Sequence, residues 1–204
     1  MIPAADALAR LREGNRRFAA DEPTNAGSNY RSRRLETAPN QEPFAIILGC
    51  SDSRVPAEIV FDQGLGDLFV IRVAGNIVAP SQVGSVEFAA ARTGARLVVV
   101  LGHSRCGAIL ATLEEMNHPS DQSRNLRSIV ERIQPAIAPI LATQISPTDD
   151  ALIRRAVRAN VAASANHLRH GSEILERLIQ TDGLVVVGAE YCLETGLVEF
   201  FDGV

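Results

Sequence analysis

The sequence predicts an α/β fold: a mostly parallel central sheet of four to five strands, flanked by helices and preceded by an N-terminal helical arm. Three observations carry this. Residues 44–48, 68–71 and 97–101 are short apolar runs without polar alternation, the pattern of strands buried on both faces of a parallel sheet. Segments with helical spacing fall between them, as crossover connections require. A fourth run, 184–187, lies near the C-terminus, and residues 197–201 follow the turn Glu194-Thr195-Gly196 as an edge strand.

Taken in order, residues 6–20 continue a pattern with Ala5, Leu8, Leu11 and Phe18 at helical spacing and Arg and Glu between them. Residues 21–42 are polar and turn-rich, and read as a loop or arm. A helix is expected over 83–93, closed by Gly94, and another over 107–116, directly after the third strand. Pro135 and Pro139 should break or kink any helix covering 126–141. The Ala/Arg-rich stretch 149–170 opens with Ser146-Pro147-Thr148-Asp149 and closes at Gly171, matching cap chemistry at both ends. No internal repeat, low-complexity tract or linker divides the chain. The expectation is one domain over 1–204, with a helix and arm in 1–42 and the α/β core in 43–204.

Composition narrows the function classes. A hydrophobic content of 46% with 22% charged residues excludes disorder, collagen and coiled coil. The net charge of −4 and scattered arginines leave no basic patch for nucleic acid. All 20 basic residues are Arg, and without a Lys there is no P-loop, Schiff-base or kinase-type phosphate chemistry. Three cysteines in 204 residues make no disulfide framework. The N-terminus has neither the basic nor the apolar region of a signal peptide, and no run is long enough to span a membrane. A soluble, cytoplasmic protein is expected.

Ligands of open parallel sheets bind beyond the carboxyl ends of the strands. After the first predicted strand stands Gly49-Cys50-Ser51-Asp52-Ser53-Arg54, and after the third Gly102-His103-Ser104-Arg105-Cys106-Gly107. Two thiolates and one imidazole suit Zn²⁺, and three protein ligands leave a fourth position open. His103 and Cys106 share one strand-to-helix turn, while Cys50 comes from a different strand, so the site would depend on the fold. The simpler readings are an ordinary turn with an Asp52–Arg54 ion pair, and a Cys192 that is a small buried hydrophobe or else a fourth ligand closing a structural site. His118, His167 and His170 read as surface or helix-end residues. Residues 102–106 resemble a nucleophile elbow, but Cys106 replaces its last glycine. Cys50 lacks the anion loop of a phosphatase nucleophile, and Gly64-Leu65-Gly66 precedes a strand and lacks the third glycine of a dinucleotide fingerprint.

These residues resemble the β-class carbonic anhydrases. The family signature, C-x-D-x-R followed further along by H-x-x-C, appears as Cys50-Ser51-Asp52-Ser53-Arg54 and His103-Ser104-Arg105-Cys106. The similarity runs from about Gln41 to Ile109, including residues 69–76 and 84–87, with a weaker echo over 191–198. The resemblance implies reversible hydration of CO₂ to bicarbonate and a proton, one zinc per subunit, and a dimer or larger assembly. It makes Cys50, His103 and Cys106 the metal ligands, and it makes Asp52 the acceptor of a hydrogen bond from zinc-bound water. Arg54 would pair with Asp52 and hold it off the metal. Gln41, nine residues before Cys50, matches the substrate-binding amide of the plant-type, open-site subgroup. Phe69 and Phe88 match the aromatic positions of the apolar pocket, and Phe88 stands where plant-type members often carry Tyr. A further subgroup closes its site under bicarbonate by means of a Trp three residues before the first cysteine; here that position is Ile47, and the chain has no Trp. Hydrolysis of carbonyl sulfide or carbon disulfide on the same zinc, and a non-catalytic zinc-stabilised binding domain, are the alternatives. No histidine besides His103 lies near the motifs to relay protons.

Overall fold

The computed structural model describes residues 2–24, 30–121, 123–141 and 150–204. Two N-terminal helices, α1 (Ala4–Ala19) and α2 (Tyr30–Thr37), lead into β1 (Ala45–Gly49), the short α3 (Ala57–Val60) and β2 (Leu68–Arg72). A 3₁₀ turn (Ala74–Asn76) and α4 (Pro80–Thr93) connect to β3 (Leu97–His103). Helices α5 (Gly107–Asn117), α6 (Arg124–Leu141), α7 (Asp150–His170) and α8 (Glu173–Thr181) precede β4 (Val185–Tyr191) and β5 (Val198–Asp202). The sheet order is β2-β1-β3-β4-β5; the first four strands are parallel and β5 runs antiparallel at the edge. This is the predicted α/β architecture.

The layering explains the absence of alternation. Ile46, Leu48, Val98, Val100 and Val186 face α4, α7 and α8, while Ala45, Ile47, Val99, Leu101 and Val187 face α1 and α3. Both faces of the central strands are thus dry, and β1 and β3 are buried along their whole length. A third cluster caps the carboxyl ends of β1 and β3, where Ile77, Ile109, Ile133, Ile137 and Val157 gather around Cys50 and Cys106.

Several local expectations are corrected. Residues 124–141 form one helix despite Pro135 and Pro139. Both prolines lie on its exposed side, opposite buried Val130, Ile133 and Ile137, so the backbone carbonyls they free can turn to water. The arm at 21–42 contains α2, which buries none of its side chains and so shows no apolar periodicity. Helix α4 begins at Pro80, where a missing N–H costs nothing, rather than at 83, and ends as expected at Gly94 in the left-handed conformation. Helix α8 carries no strong sequence marker beyond Ser172, whose hydroxyl accepts from the Leu175 N–H at 3.2 Å. The cap proposed at 146–149 lies outside the described residues, whereas Gly171 directly follows the last residue of α7.

Helix α1 docks through small and polar residues as well as through Leu11. A Cβ at Gly14 would sit 1.9 Å from the Phe61 carbonyl oxygen, so the helix backbone approaches the loop after α3 more closely than any side chain allows. The neighbouring Asn15 is buried, donates to the carbonyls of Val60 and Gly196, and accepts from the Val198 N–H. Gly14→Ala is therefore expected to destabilise the fold by about 1–3 kcal/mol, as overpacking does, read from urea denaturation. An unchanged midpoint would show that α1 shifts freely.

Candidate metal centre

Cys50 leaves β1, His103 is the last residue of β3, and Cys106 is the N-cap of α5. Because β1 and β3 are adjacent and parallel, with Gly49 paired to Leu101, their carboxyl ends bring these side chains together. Their ligand atoms all lie within 4.8 Å of one another, and all three residues are buried. The two sulfurs are 4.0 Å apart. The three cysteines are free thiols, and Cys192 stands outside the cluster.

The donor chemistry fits a cation. His103 Nδ1 lies 2.9 Å from the Ser104 carbonyl oxygen, which can only accept, so Nδ1 carries the proton. That leaves Nε2 as a bare lone pair, and it is buried without a hydrogen-bond partner. An orphaned buried acceptor beside two thiols costs free energy unless something electron-poor occupies the space between them. The contact with Cys106, helped by the backbone N–H groups of Asp52 and Gly75, lowers the Cys50 pKa, while the same contact and burial raise that of Cys106. A cation held by these three side chains would take both sulfurs as thiolates and give His103 Nε2 a partner.

Asp52 stands beside the cluster, with Oδ2 3.8 Å from His103 Nε2. Arg54 grips it with both ends of its guanidinium, Nε to Oδ1 at 2.9 Å and Nη2 to Oδ2 at 2.7 Å, and adds its own backbone N–H at 2.9 Å. These hydrogen bonds hold the Asp52 carboxyl well below the ordinary carboxylate range, so it is a permanent acceptor. The loop is tied down a second time. Arg72, at the end of β2, donates from Nε to the Cys50 carbonyl at 3.0 Å and from Nη2 to the Asp52 carbonyl at 2.6 Å. One planar fork thereby fixes the Cys50–Ser51 and Asp52–Ser53 peptides.

The remaining candidates lie elsewhere. Phe69 and Phe88 pair with ring centroids 6.2 Å apart, but they pack on the α4 side of the sheet, and Phe88 is 52% exposed. Gln41 is exposed on the chain entering β1. Within one subunit the cluster therefore gathers Cys50, His103, Cys106, Asp52 and Arg54, and leaves the three substrate-binding candidates outside it. Cys192 is not a buried hydrophobe; it is partly exposed, lies outside the cluster, and its thiol donates to Glu194 at 3.3 Å. His118, His167 and His170 are exposed, as expected. Arg72, Ser104 and Glu194 were not singled out by the sequence, because their roles run through backbone groups that no motif spacing reveals.

A Cys₂His set with a tethered carboxylate, at the carboxyl edge of a parallel sheet, marks the α/β metalloenzymes. Residues 45–198 match the carbonic anhydrase family. Carbonic anhydrase 2 of Mycobacterium tuberculosis is 39% identical over 186 residues, covering 91% of this chain and 87% of its own. The β-carbonic anhydrase of Coccomyxa, solved in complex with acetazolamide, superposes with a TM-score of 0.73 at 28% identity, covering 95% of this chain and 86% of that one. A tetrameric β-carbonic anhydrase of Sordaria macrospora shares the fold, with a TM-score of 0.70 at 23% identity over 96% of this chain and 97% of its own. The chain belongs to the β-class carbonic anhydrases, enzymes that interconvert CO₂ and bicarbonate.

Proposed function

We propose that the protein hydrates CO₂ reversibly with one zinc ion per subunit, held by Cys50, His103 and Cys106. The observation that carries this is the bare Nε2 of His103, buried between two thiols and next to a carboxylate that Arg54 restrains. Two sulfur donors and one imidazole favour zinc over the harder cations. When bound, zinc supplies a Lewis acid, which in well-known zinc enzymes brings the pKa of water to about 7.

The protein's own part is orientation and shielding. Asp52, an acceptor at any working pH, takes a hydrogen bond from the attacking water and so points a lone pair at the substrate carbon. Arg54 keeps that carboxylate from taking the open ligand position itself. Ile77, Ile109 and Ile133 exclude bulk water and suit a linear, uncharged substrate. Gln41 supplies an amide donor for the developing oxyanion, and Phe69 and Phe88 line the pocket, in each case across a subunit boundary. The exposure of Phe88 and Gln41 in the isolated chain supports this assignment. The ligand thiols must stay reduced, which agrees with a cytoplasmic location; among the described residues no helix is long and apolar enough to cross a membrane.

Metal analysis together with stopped-flow CO₂ hydration tests the function. One zinc per chain and hydration abolished by a chelator are expected; a zinc-free, fully active preparation would overturn the proposal. The shared pocket makes a separate prediction. Sedimentation should find at least a dimer, the state supported by the tetrameric fold relative, with little activity in any monomer. A fully active monomer at assay concentration would refute the shared pocket.

A further inference from the structure

The His103 acceptor is not part of a strand or helix ladder. The Ser104 carbonyl belongs to a short turn between β3 and α5, and the next residue, Arg105, has φ 54°, a left-handed conformation that non-glycine residues seldom adopt. Such a turn needs holding from outside.

The hold comes from the far end of the chain. The Ser104 N–H donates to the Tyr191 carbonyl at 2.9 Å, extending the β3–β4 pairing by one residue. Its hydroxyl accepts from the Leu193 N–H at 3.0 Å and donates to Glu194 Oε2 at 3.3 Å. Glu194 also meets Arg105, with Oε1 3.1 Å from Nε. The Ser104 N–H, hydroxyl and carbonyl are therefore all engaged. The 192–197 turn is itself closed by bonds from the Cys192 N–H to the Leu197 carbonyl and from the Gly196 N–H to the Cys192 carbonyl, each 2.9 Å. From beneath, buried Asn15 of α1 grips it at the Gly196 carbonyl and the Val198 N–H, both at 2.8 Å. A continuous path of hydrogen bonds thus runs from α1 through the C-terminal turn to the carbonyl that sets the His103 tautomer and ring direction.

We propose that Ser104 is a positioning residue: anchored to the C-terminal turn by its hydroxyl, it fixes the carbonyl that aims His103 Nε2 at the metal. The inference rests on His103 being a zinc ligand. Groups that hold the second nitrogen of a ligating histidine govern metal affinity as well as rate, commonly by about 10–100-fold when lost. Ser104→Ala keeps the carbonyl but frees the turn, so the lower end of that range applies.

The test is zinc affinity, measured by competition with a chromophoric chelator on folded protein, with melting of the metal-free form followed alongside. Ser104→Ala should bind zinc about tenfold more weakly, Ser104→Thr should retain the wild-type affinity because it keeps the hydroxyl, and Glu194→Ala should fall between. A role in stability alone would lower the melting temperature and leave the affinity unchanged, and that result would overturn the inference. Should Ser104→Ala fail to fold, Glu194→Ala decides: its side chain is half exposed, and wild-type zinc affinity in that variant would overturn the inference equally. A wild-type protein that binds no stoichiometric zinc would instead refute the ligand assignment.

Discussion

Cys50→Ser is expected to lose zinc and CO₂ hydration together. A serine hydroxyl remains protonated at neutral pH and is a poor zinc ligand, so only His103 and Cys106 would remain to hold the ion. Removing one of three strong ligands should weaken binding on the order of a thousandfold, judging from the total free energy of structural zinc sites. The metal content of purified protein and the hydration rate, measured on one sample, read both losses. Cys192→Ser provides the control and should keep its zinc, since Cys192 lies outside the cluster and engages Glu194. A Cys50→Ser variant with stoichiometric zinc would remove Cys50 from the ligand set; loss of zinc in Cys192→Ser would point to a closed structural site.

Arg54→Ala is expected to cost on the order of a hundredfold in hydration rate while zinc stays bound. The Asp52 carboxylate already has an oxygen 3.8 Å from His103 Nε2, and its two guanidinium contacts are what oppose a closer approach. Without them Asp52 is free to occupy the open ligand position, exchanging the substrate site for a fourth protein ligand. The pH dependence follows from the same pair. Arg54 lowers the Asp52 pKa, so in the wild type Asp52 stays ionised as the pH falls through the ordinary carboxylate range, and it adds no acidic limb to the activity profile. The wild type should show a single titration without cooperative bicarbonate inhibition, since Ile47 is fully buried and offers no donor to a regulatory anion. A steep cooperative loss below pH 8 would contradict this.

The legible parts of the sequence were those in which side chains act for themselves. The apolar runs marked the sheet because β1 and β3 are dry on both faces. The ligand cluster was legible because two adjacent parallel strands end in chemically distinctive residues. What escaped was set by context. Pro135 and Pro139 read as breakers, yet their position on the wet side of α6 makes them tolerable, and that side is defined only once the core exists. Asn15 carries no mark in the sequence and is a buried brace, because the groups it satisfies are backbone atoms far away in sequence. Arg72 lay within the recognised stretch without a role, since its partners are the carbonyls of Cys50 and Asp52 rather than side chains. Phe69, Phe88 and Gln41 stand apart from the cluster within one subunit, a separation that their positions in the motif do not reveal.

The strand order has a consequence for how the chain is made. β3 lies at the centre of the finished sheet, yet its neighbour on one side, β4, begins only at Val185, after α5, α6, α7 and α8. At synthesis rates of about 5–20 residues per second, the Leu97–His103 strand spends several seconds as an open edge. That edge is apolar and carries two of the three cluster residues, His103 and Cys106, at or just beyond its end. A nascent chain stalled before β4 would expose a strand well suited to pairing with its neighbours on other ribosomes. The shield over the open side of β3 is therefore a strand translated long after it.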